Sequence, residues 1–257
     1  MRVCPKCQFE EPTDSTECAR CGVIFAKVRP SRPEPESRQP TNEPTHDEQQ
    51  TDPWYRRAFV RVNLKTQEDV GPFEVVGRGA VLLLLLIWGV KFIATPISTA
   101  EINESFMHVV NLVFHEAGHV IFSLFGDFIG TLGGTLGQLL IPLLCCLTFV
   151  FKYGNAFGGA ATLWWVGQSC LDVAPYAYDA RAQDILLLGG VTGSEVPGYH
   201  DWNNILGELG WLQHDHTIGG AFYWLGTLTI TVALLWAIAV LYCQLKQFRS
   251  VSKLRPF

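Results

Sequence analysis

The 257-residue chain has a formal net charge of −5 and is 48% hydrophobic, but its charged residues are unevenly distributed. Residues 1–78 contain 12 of the 19 Lys and Arg and 13 of the 24 Asp and Glu, whereas the following 179 residues contain only 18 charged residues. This low charge density excludes an ordinary soluble globular protein and is typical of segments surrounded by lipid. No basic run is long enough to follow a phosphate backbone, so we expect no nucleic acid partner.

Four of the eight cysteines form two CxxC pairs within the first 21 residues. Cys4 and Cys7 form one pair, and Cys18 and Cys21 form the other. Two such turns direct four thiolates toward one ion and complete the tetrahedral shell of a structural zinc. We expect no signal peptide and hence a reducing, cytoplasmic N-terminus, which favours zinc over two disulfides. Residues 1–28 are therefore predicted to be a zinc ribbon, which either binds a cytoplasmic protein partner or only stiffens the terminus.

A polar segment connects the ribbon to the apolar part of the chain. Six prolines and few apolar residues lie between Pro30 and Pro53, so residues 29–53 are predicted to be a disordered linker. Hydrophobic residues return in residues 54–78 together with five basic residues. This pattern fits a juxtamembrane segment lying against anionic lipid and, equally well, an ordinary solvated stretch.

The rest of the chain is predicted to be an all-α polytopic membrane domain at residues 79–246, with about five to six transmembrane or re-entrant helices. Its five apolar stretches cover about residues 79–97, 105–125, 132–151, 157–178 and 218–245. Basic residues in the tail, residues 247–257, predict that both termini are cytoplasmic. Because five full spans would separate the termini, either one stretch is re-entrant or residues 184–212 also enter the membrane.

The motif that indicates a catalytic site lies within the second apolar stretch. It reads His115-Glu116-Ala-Gly-His119, an HExxH motif in an otherwise apolar helix. Residues i and i+4 share a helix face, so both imidazoles can bind one zinc ion, and Glu116 is close enough to accept a proton from a zinc-bound water. Three ionisable residues within five positions of a membrane helix favour a catalytic site over histidines that only hydrogen-bond to neighbouring helices.

A catalytic zinc binds three protein ligands, so the third must come from elsewhere in the chain. The fourth apolar stretch ends with Asp172, Tyr176 and Asp179 on one helical face, and either aspartate could reach the metal. Asp172 lies deeper in the apolar stretch and is harder to explain without a partner. Asp179 has the simpler option of an interfacial ion pair with the nearby Arg181. Burial alone therefore favours Asp172.

An HExxH motif in a transmembrane helix, followed by an intramembrane aspartate, resembles the site-2 protease class of intramembrane zinc metalloproteases. The resemblance covers about residues 105–184. It implies that His115 and His119 bind zinc, that Glu116 is the general base, and that the substrate is a transmembrane segment cleaved within the bilayer.

The third ligand implied by the resemblance depends on which motif is compared. The family's Leu-Asp-Gly motif corresponds here to Leu171-Asp172-Val173, and the usual upstream Asn-x-x-Pro is missing. The segment at residues 176–180, Tyr-Ala-Tyr-Asp-Ala, is similar to divergent relatives in which we expect the aspartate of Tyr-x-x-Asp-Ala to be the ligand. The resemblance therefore places Asp179 slightly ahead of Asp172.

Two further segments are candidates for supporting the site. Glycines are concentrated in residues 126–138 and predict either close helix packing or an irregular backbone such as the substrate-holding hairpin of site-2 proteases. Gln138 either holds substrate backbone or makes a polar contact between helices. Residues 189–216 are predicted to be a solvated loop or an interfacial anchor, in which His200 and Asp201 are a reserve source of the third ligand.

Taken together, the sequence predicts an intramembrane zinc endopeptidase in the bacterial cytoplasmic membrane, with one catalytic and one structural zinc. Its predicted partners are a transmembrane protein substrate and membrane lipid. The alternative is a non-enzymatic membrane adaptor in which the ribbon recruits a partner and the intramembrane zinc is structural.

Overall fold

The computed structural model of the protein describes residues 1–27, 71–99 and 101–254. Two compact units divide the chain, Met1–Thr51 and Asp52–Phe257. The predicted linker, residues 29–53, lies outside the described residues, as do residues 54–70 of the predicted juxtamembrane segment.

The N-terminal unit is built from two short strands and two cysteine turns. Strands β1 (Arg2–Val3) and β2 (Glu10–Glu11) pair antiparallel, with Arg2 opposite Glu11 and Val3 opposite Glu10. A short 3₁₀ helix, Phe25–Lys27, ends the described part of this unit.

The described part of the second unit is mostly helical. Its α-helices are α1 (Pro72–Ala94), α2 (Phe106–Phe122), α3 (Asp127–Leu147), α4 (Ala156–Tyr178), α5 (Asp201–Glu208) and α6 (Asp215–Leu254). A π-helical segment, Thr148–Tyr153, extends α3. Three helix starts are capped by side chains that accept a backbone N–H: Ser105 for α2, Asn155 for α4 and His200 for α5.

Three helices in the described part of the chain are long and apolar enough to cross a membrane: Pro72–Ala94, Asp127–Tyr153 and Leu212–Gln247. In the described residues this number is lower than the predicted five to six transmembrane or re-entrant helices. The predicted stretches at 105–125 and 157–178 do form α2 and α4, but α2 is only 17 residues long. Helix α4 is longer but contains buried polar residues, among them Gln168, Ser169 and Asp172.

Several boundaries also differ from the predicted ones. Helix α1 begins at Pro72 instead of Gly79, and proline at the first position of a helix is a recognised start signal. The predicted tail, residues 247–257, continues α6 as far as Leu254. The predicted loop at residues 189–216 contains the short helix α5.

Helix α4 lies at the centre of this unit and packs most extensively along α6. The two helices approach closely at glycines, since a Cβ added at Gly167 would lie 2.9 Å from the carbonyl oxygen of Gly226. Helix α5 packs against the C-terminal end of α4. Its buried Trp202, Ile205 and Leu206 join one apolar cluster with residues of α4, including Val173 and Ala177.

Candidate metal centre

The two histidines of the HExxH motif meet a carboxylate from the distant helix α5. Nε2 of His115 lies 2.9 Å from Oδ2 of Asp201, and Nε2 of His119 lies 3.2 Å from the same oxygen. One ligand atom from each residue lies within 4.8 Å of the others, and the group could hold a metal ion. Two imidazoles and one carboxylate are a ligand set found in catalytic zinc sites.

The other ring nitrogen of each histidine is held by an oxygen acceptor. Nδ1 of His115 lies 3.2 Å from Oε1 of Gln138, and Nδ1 of His119 lies 2.9 Å from the carbonyl oxygen of Gly130. Because both oxygens only accept, each Nδ1 carries the hydrogen, which leaves Nε2 for a metal ion. Such outer contacts are typical of histidines that bind metals.

Gly134 of α3 keeps the space beside these nitrogens open. A Cβ added at Gly134 would lie 2.4 Å from Nε2 of His115 and 2.6 Å from Nε2 of His119. Any side chain there would therefore occupy the position between the ligands where an ion has to fit. The residues present fit a bound zinc ion.

The glycine-rich segment is helical, in agreement with the close-packing interpretation. A Cβ added at Gly118 of α2 would lie 2.1 Å from the carbonyl oxygen of Gly133 in α3. A Cβ at Gly137 would likewise lie 2.4 Å from the carbonyl oxygen of Phe114. The glycines thus allow the backbones of α2 and α3 to touch, which brings Gly130 and Gln138 within reach of the histidines.

Asp172, which burial alone favoured as the third ligand, is not part of the histidine group. Its carboxylate accepts hydrogen bonds from Nε2 of Gln138 at 2.7 Å and from Nδ2 of Asn111 at 3.2 Å. Nδ1 of His108 lies 3.0 Å from its other oxygen. These polar partners explain how a carboxylate can be buried in α4 without contacting a metal.

Asp179, which the resemblance favoured, also lies outside the histidine group. It follows the last residue of α4, and its carboxylate accepts the backbone N–H groups of Asp184 at 3.2 Å and Ile185 at 3.0 Å. One oxygen lies 3.5 Å from Nε2 of the buried His200. The reserve candidate Asp201 is therefore the aspartate that the structure brings to the histidines.

The environment of Asp201 keeps its carboxyl group ionised. Burial raises the pKa of this group, but the two histidines, whose Nε2 atoms lie 2.9 Å and 3.2 Å from Oδ2, outweigh that effect and lower it to about 2. The backbone N–H of Asp201 donates to the hydroxyl of Tyr176 at 2.9 Å, which ties the start of α5 to α4. The carboxylate is thus both positioned and charged as a metal ligand requires.

Glu116 is exposed and lines a cavity of about 640 Å³ beside the metal group. The same cavity is lined by His115, His119 and Asp201. Its walls also contain apolar residues, among them Leu112, Val173, Ile185, Leu186, Leu187 and Leu188. The volume lies within the range of small-molecule and cofactor sites.

The four N-terminal cysteines form a second group that could hold a metal ion. Sγ of Cys4 lies 3.5 Å from Sγ of Cys21, and Sγ of Cys7 lies 3.7 Å from Sγ of Cys18. Zinc–sulfur bonds of 2.3 Å in a tetrahedron place sulfurs about 3.8 Å apart. All four cysteines are free of disulfides.

The two cysteine turns have the same backbone hydrogen bonds. The N–H of Gln8 donates to the carbonyl of Cys4, and the N–H of Gly22 donates to that of Cys18, both at 2.9 Å. Both closing residues have positive φ, 54° for Gln8 and 69° for Gly22. The two equivalent turns bring all four cysteines into one group.

Comparison with known proteins finds no matching family model, no matching curated protein and no matching solved structure. The resemblance to site-2 proteases therefore depends on the short motifs of α2 and α4 alone. Any assignment of function has to be argued from the metal centre itself.

Proposed function

We propose that the protein is a zinc-dependent endopeptidase that hydrolyses peptide bonds in membrane protein segments. The observation that carries the proposal is the convergence of both Nε2 atoms and the Asp201 carboxylate on a space that Gly134 leaves open. Three protein ligands are typical of catalytic zinc, whereas structural zinc has four. Glu116, next to the first ligand and on the wall of a cavity, has the place that a general base needs.

Zinc bound there would polarise the scissile carbonyl and lower the pKa of a water molecule. Glu116 accepts a proton from the attacking water as its oxygen bonds to the carbonyl carbon. It then donates that proton to the amine nitrogen as the carbon–nitrogen bond breaks. Because its side chain is exposed in the cavity, Glu116 can exchange protons with both groups.

The proposed substrate is a membrane-embedded protein segment in an extended conformation. Peptide bonds within a helix are shielded by the surrounding turns, so the segment must unwind before it is cleaved. The apolar residues of the cavity wall, such as Leu112 and Val173, favour apolar side chains on either side of the cleaved bond. Three membrane-spanning candidates in the described chain support a substrate drawn from the membrane.

We also propose that both termini are cytoplasmic, in a bacterial cytoplasmic membrane. An even number of crossings is then required, so a fourth helix has to cross together with the three apolar ones. Helix α4 has 23 residues, about 35 Å at 1.5 Å per residue, and its polar side chains are shielded by neighbouring helices. Cysteine labelling at introduced sites near the two ends should give the same sidedness, and opposite sidedness would contradict this topology.

The N-terminal unit is proposed to hold a structural zinc and to bind a cytoplasmic protein partner. Its support is the spacing of the four sulfur atoms and the two equivalent turns around them. The test is affinity capture with the whole chain and with a variant in which Cys4 and Cys18 are changed to serine. A partner that binds both equally would contradict this role.

The test of the proteolytic activity uses Glu116→Gln in the full chain reconstituted into lipid vesicles. A mixture of synthetic transmembrane segments is the probe, and new peptide termini are measured by mass spectrometry. We expect cleavage by the unchanged chain and none by Glu116→Gln, with two zinc ions per chain in both. Equal cleavage by both proteins would overturn the role of Glu116.

Zinc content separates the protease from the adaptor. His115→Ala should lower the zinc content from two ions to one, and changes in the ribbon cysteines should remove the other ion. If His115→Ala lowers the zinc content but no segment is cleaved by the unchanged chain, a structural metal in an adaptor is supported. A chain that binds only the ribbon zinc would overturn the metal centre.

A further inference from the structure

We propose that Asp172 and Gln138 form a hydrogen-bonded relay that fixes the orientation of His115, so that Asp172 is a positioning residue for the metal centre. The inference rests on the metal centre proposed above and is independent of whether the chain cleaves peptides. It gives a role to the buried carboxylate that the metal group leaves out.

The relay consists of two hydrogen bonds made by the two ends of one amide. Nε2 of Gln138 donates to Oδ2 of Asp172 at 2.7 Å. Oε1 of the same amide lies 3.2 Å from Nδ1 of His115. Gln138 and Asp172 are 4% and 3% exposed, so little of either side chain can contact water instead of its protein partners.

The order of these bonds determines which nitrogen of His115 is free. A carboxylate only accepts hydrogen bonds, so Asp172 forces the NH₂ of Gln138 toward itself. The amide oxygen must then point at His115 and accept the hydrogen from Nδ1. Nε2 is thereby left for a metal ion, on the side of Asp201 and of the open space beside Gly134.

Asp172 is itself held so that it cannot turn away from Gln138. Nδ2 of Asn111 donates to the same oxygen, Oδ2, at 3.2 Å. The orientation of Asn111 is fixed in turn, because its oxygen accepts from Nε1 of Trp165 at 2.9 Å. Nδ1 of His108 lies within hydrogen-bonding distance of both carboxylate oxygens.

The experiment measures metal affinity in the full chain by competition between cobalt(II) and a chelator. Gln138→Met removes both bonds of the relay and should weaken cobalt binding at the histidine site by about 10- to 100-fold. The ribbon site is an internal control, since the absorption of cobalt bound to its thiolates should not change. Gln138→Glu should keep most of the affinity, because a carboxylate also accepts from Nδ1 while sharing a proton with Asp172.

The matched control is Gln168→Met, in the same buried network. Gln168 is fully buried and accepts from Asn111 at 2.8 Å, but it belongs to the network around Asp172 and not to the relay between Asp172 and His115. Unchanged affinity in Gln138→Met would overturn the relay. An equal loss in Gln168→Met would also overturn it, because any damage to the network would then be sufficient.

A second measurement needs no substitution in the relay. In the zinc-loaded chain, ¹⁵N spectra of labelled histidines, assigned with His115→Ala, should show a hydrogen on Nδ1 of His115 and zinc on Nε2. Zinc on Nδ1 would overturn the relay. If the proposed metal centre itself is wrong, His115→Ala will leave the zinc content unchanged, which distinguishes this outcome from a wrong relay.

Discussion

Oδ2 of Asp201 lies 2.9 Å from Nε2 of His115, although the two residues are 86 positions apart in the chain. The contact forms because α5 packs Trp202, Ile205 and Leu206 against α4, whose neighbours include the HExxH helix. Asp201, in the short helix α5, thereby completes the group formed with the two histidines of α2.

Replacing Asp201 with cysteine should move a thiolate into the coordination shell of the metal. In a background whose four ribbon cysteines are serine, cobalt-loaded Asp201→Cys should gain a sulfur-to-cobalt charge-transfer band in the near ultraviolet. The physical reason is that a thiolate coordinates soft and borderline metals strongly. Absorption spectroscopy of the purified chain is the measurement.

Asp172→Cys and Asp179→Cys are the matched controls for this substitution. Neither residue belongs to the histidine group, so neither variant should gain the band. A band in Asp179→Cys but not in Asp201→Cys would return the third ligand to the position that the resemblance favoured.

The sequence alone was sufficient to predict that His115 and His119 lie together, but not that Asp201 is the carboxylate beside them. His115 and His119 are related by helix periodicity, which is local, so their common face follows from the spacing alone. Asp201 depends on the packing of α5 against α4, which no local period encodes. A signal was present, because Trp202, Ile205 and Leu206 have the i, i+3, i+4 spacing of a buried helix face.

Gly134→Ala should remove the metal from the histidine site. The added Cβ would lie 2.4 Å from Nε2 of His115 and 2.6 Å from Nε2 of His119 and would occupy the space of the ion. We expect the zinc content to fall from two ions per chain to one, as measured by elemental analysis.

The control for Gly134→Ala is Gly220→Ala in α6, where nothing lies within 4 Å of the added Cβ. This variant should keep two zinc ions and at least the thermal stability of the unchanged chain, because alanine favours a helix more than glycine does. Two zinc ions in Gly134→Ala would show that the ion binds somewhere else.

The N-terminal unit should fold only with its metal. Cys4 and Cys18 are 0% and 1% exposed, and the described residues of this unit contain only short strands, turns and one short 3₁₀ helix, so a bound zinc ion would replace an apolar core. Structural zinc contributes about 10–16 kcal/mol in small zinc-binding peptides. A peptide of residues 1–51 should lose its dispersed amide NMR spectrum when a strong chelator is added.

Cys18→Ser in the same peptide should remain unfolded at zinc concentrations that fold the unchanged peptide. A spectrum that stays dispersed after the metal is removed would contradict this prediction. The four cysteines were predictable because CxxC spacing fixes the turn locally, as the matching hydrogen bonds of Gln8 and Gly22 confirm.

The number of membrane helices was less predictable than their positions. Apolar stretches located α1 to α4 and α6, but hydrophobicity alone could not separate a helix that faces lipid from one that is enclosed by others. In α4, Trp164 and Leu171 are 2% and 0% exposed, so its apolar residues contact protein instead of lipid. Enclosure is a tertiary property, so the apolar residues of α4 could not show from the sequence alone that this helix packs among other helices.

Asp179→Ala should weaken metal binding without removing a ligand. Asp179 accepts the backbone N–H groups of Asp184 and Ile185 and lies 3.5 Å from Nε2 of His200, which caps α5. Losing these contacts should loosen the start of α5 and with it Asp201, lowering zinc affinity by about tenfold. Asp179→Asn should keep most of the zinc affinity, because its amide oxygen still accepts an N–H. Asp201→Asn should lose the metal, because a neutral amide is a poor zinc ligand. If chelator competition gives equal losses for Asp179→Asn and Asp201→Asn, Asp179 is a ligand and not an anchor.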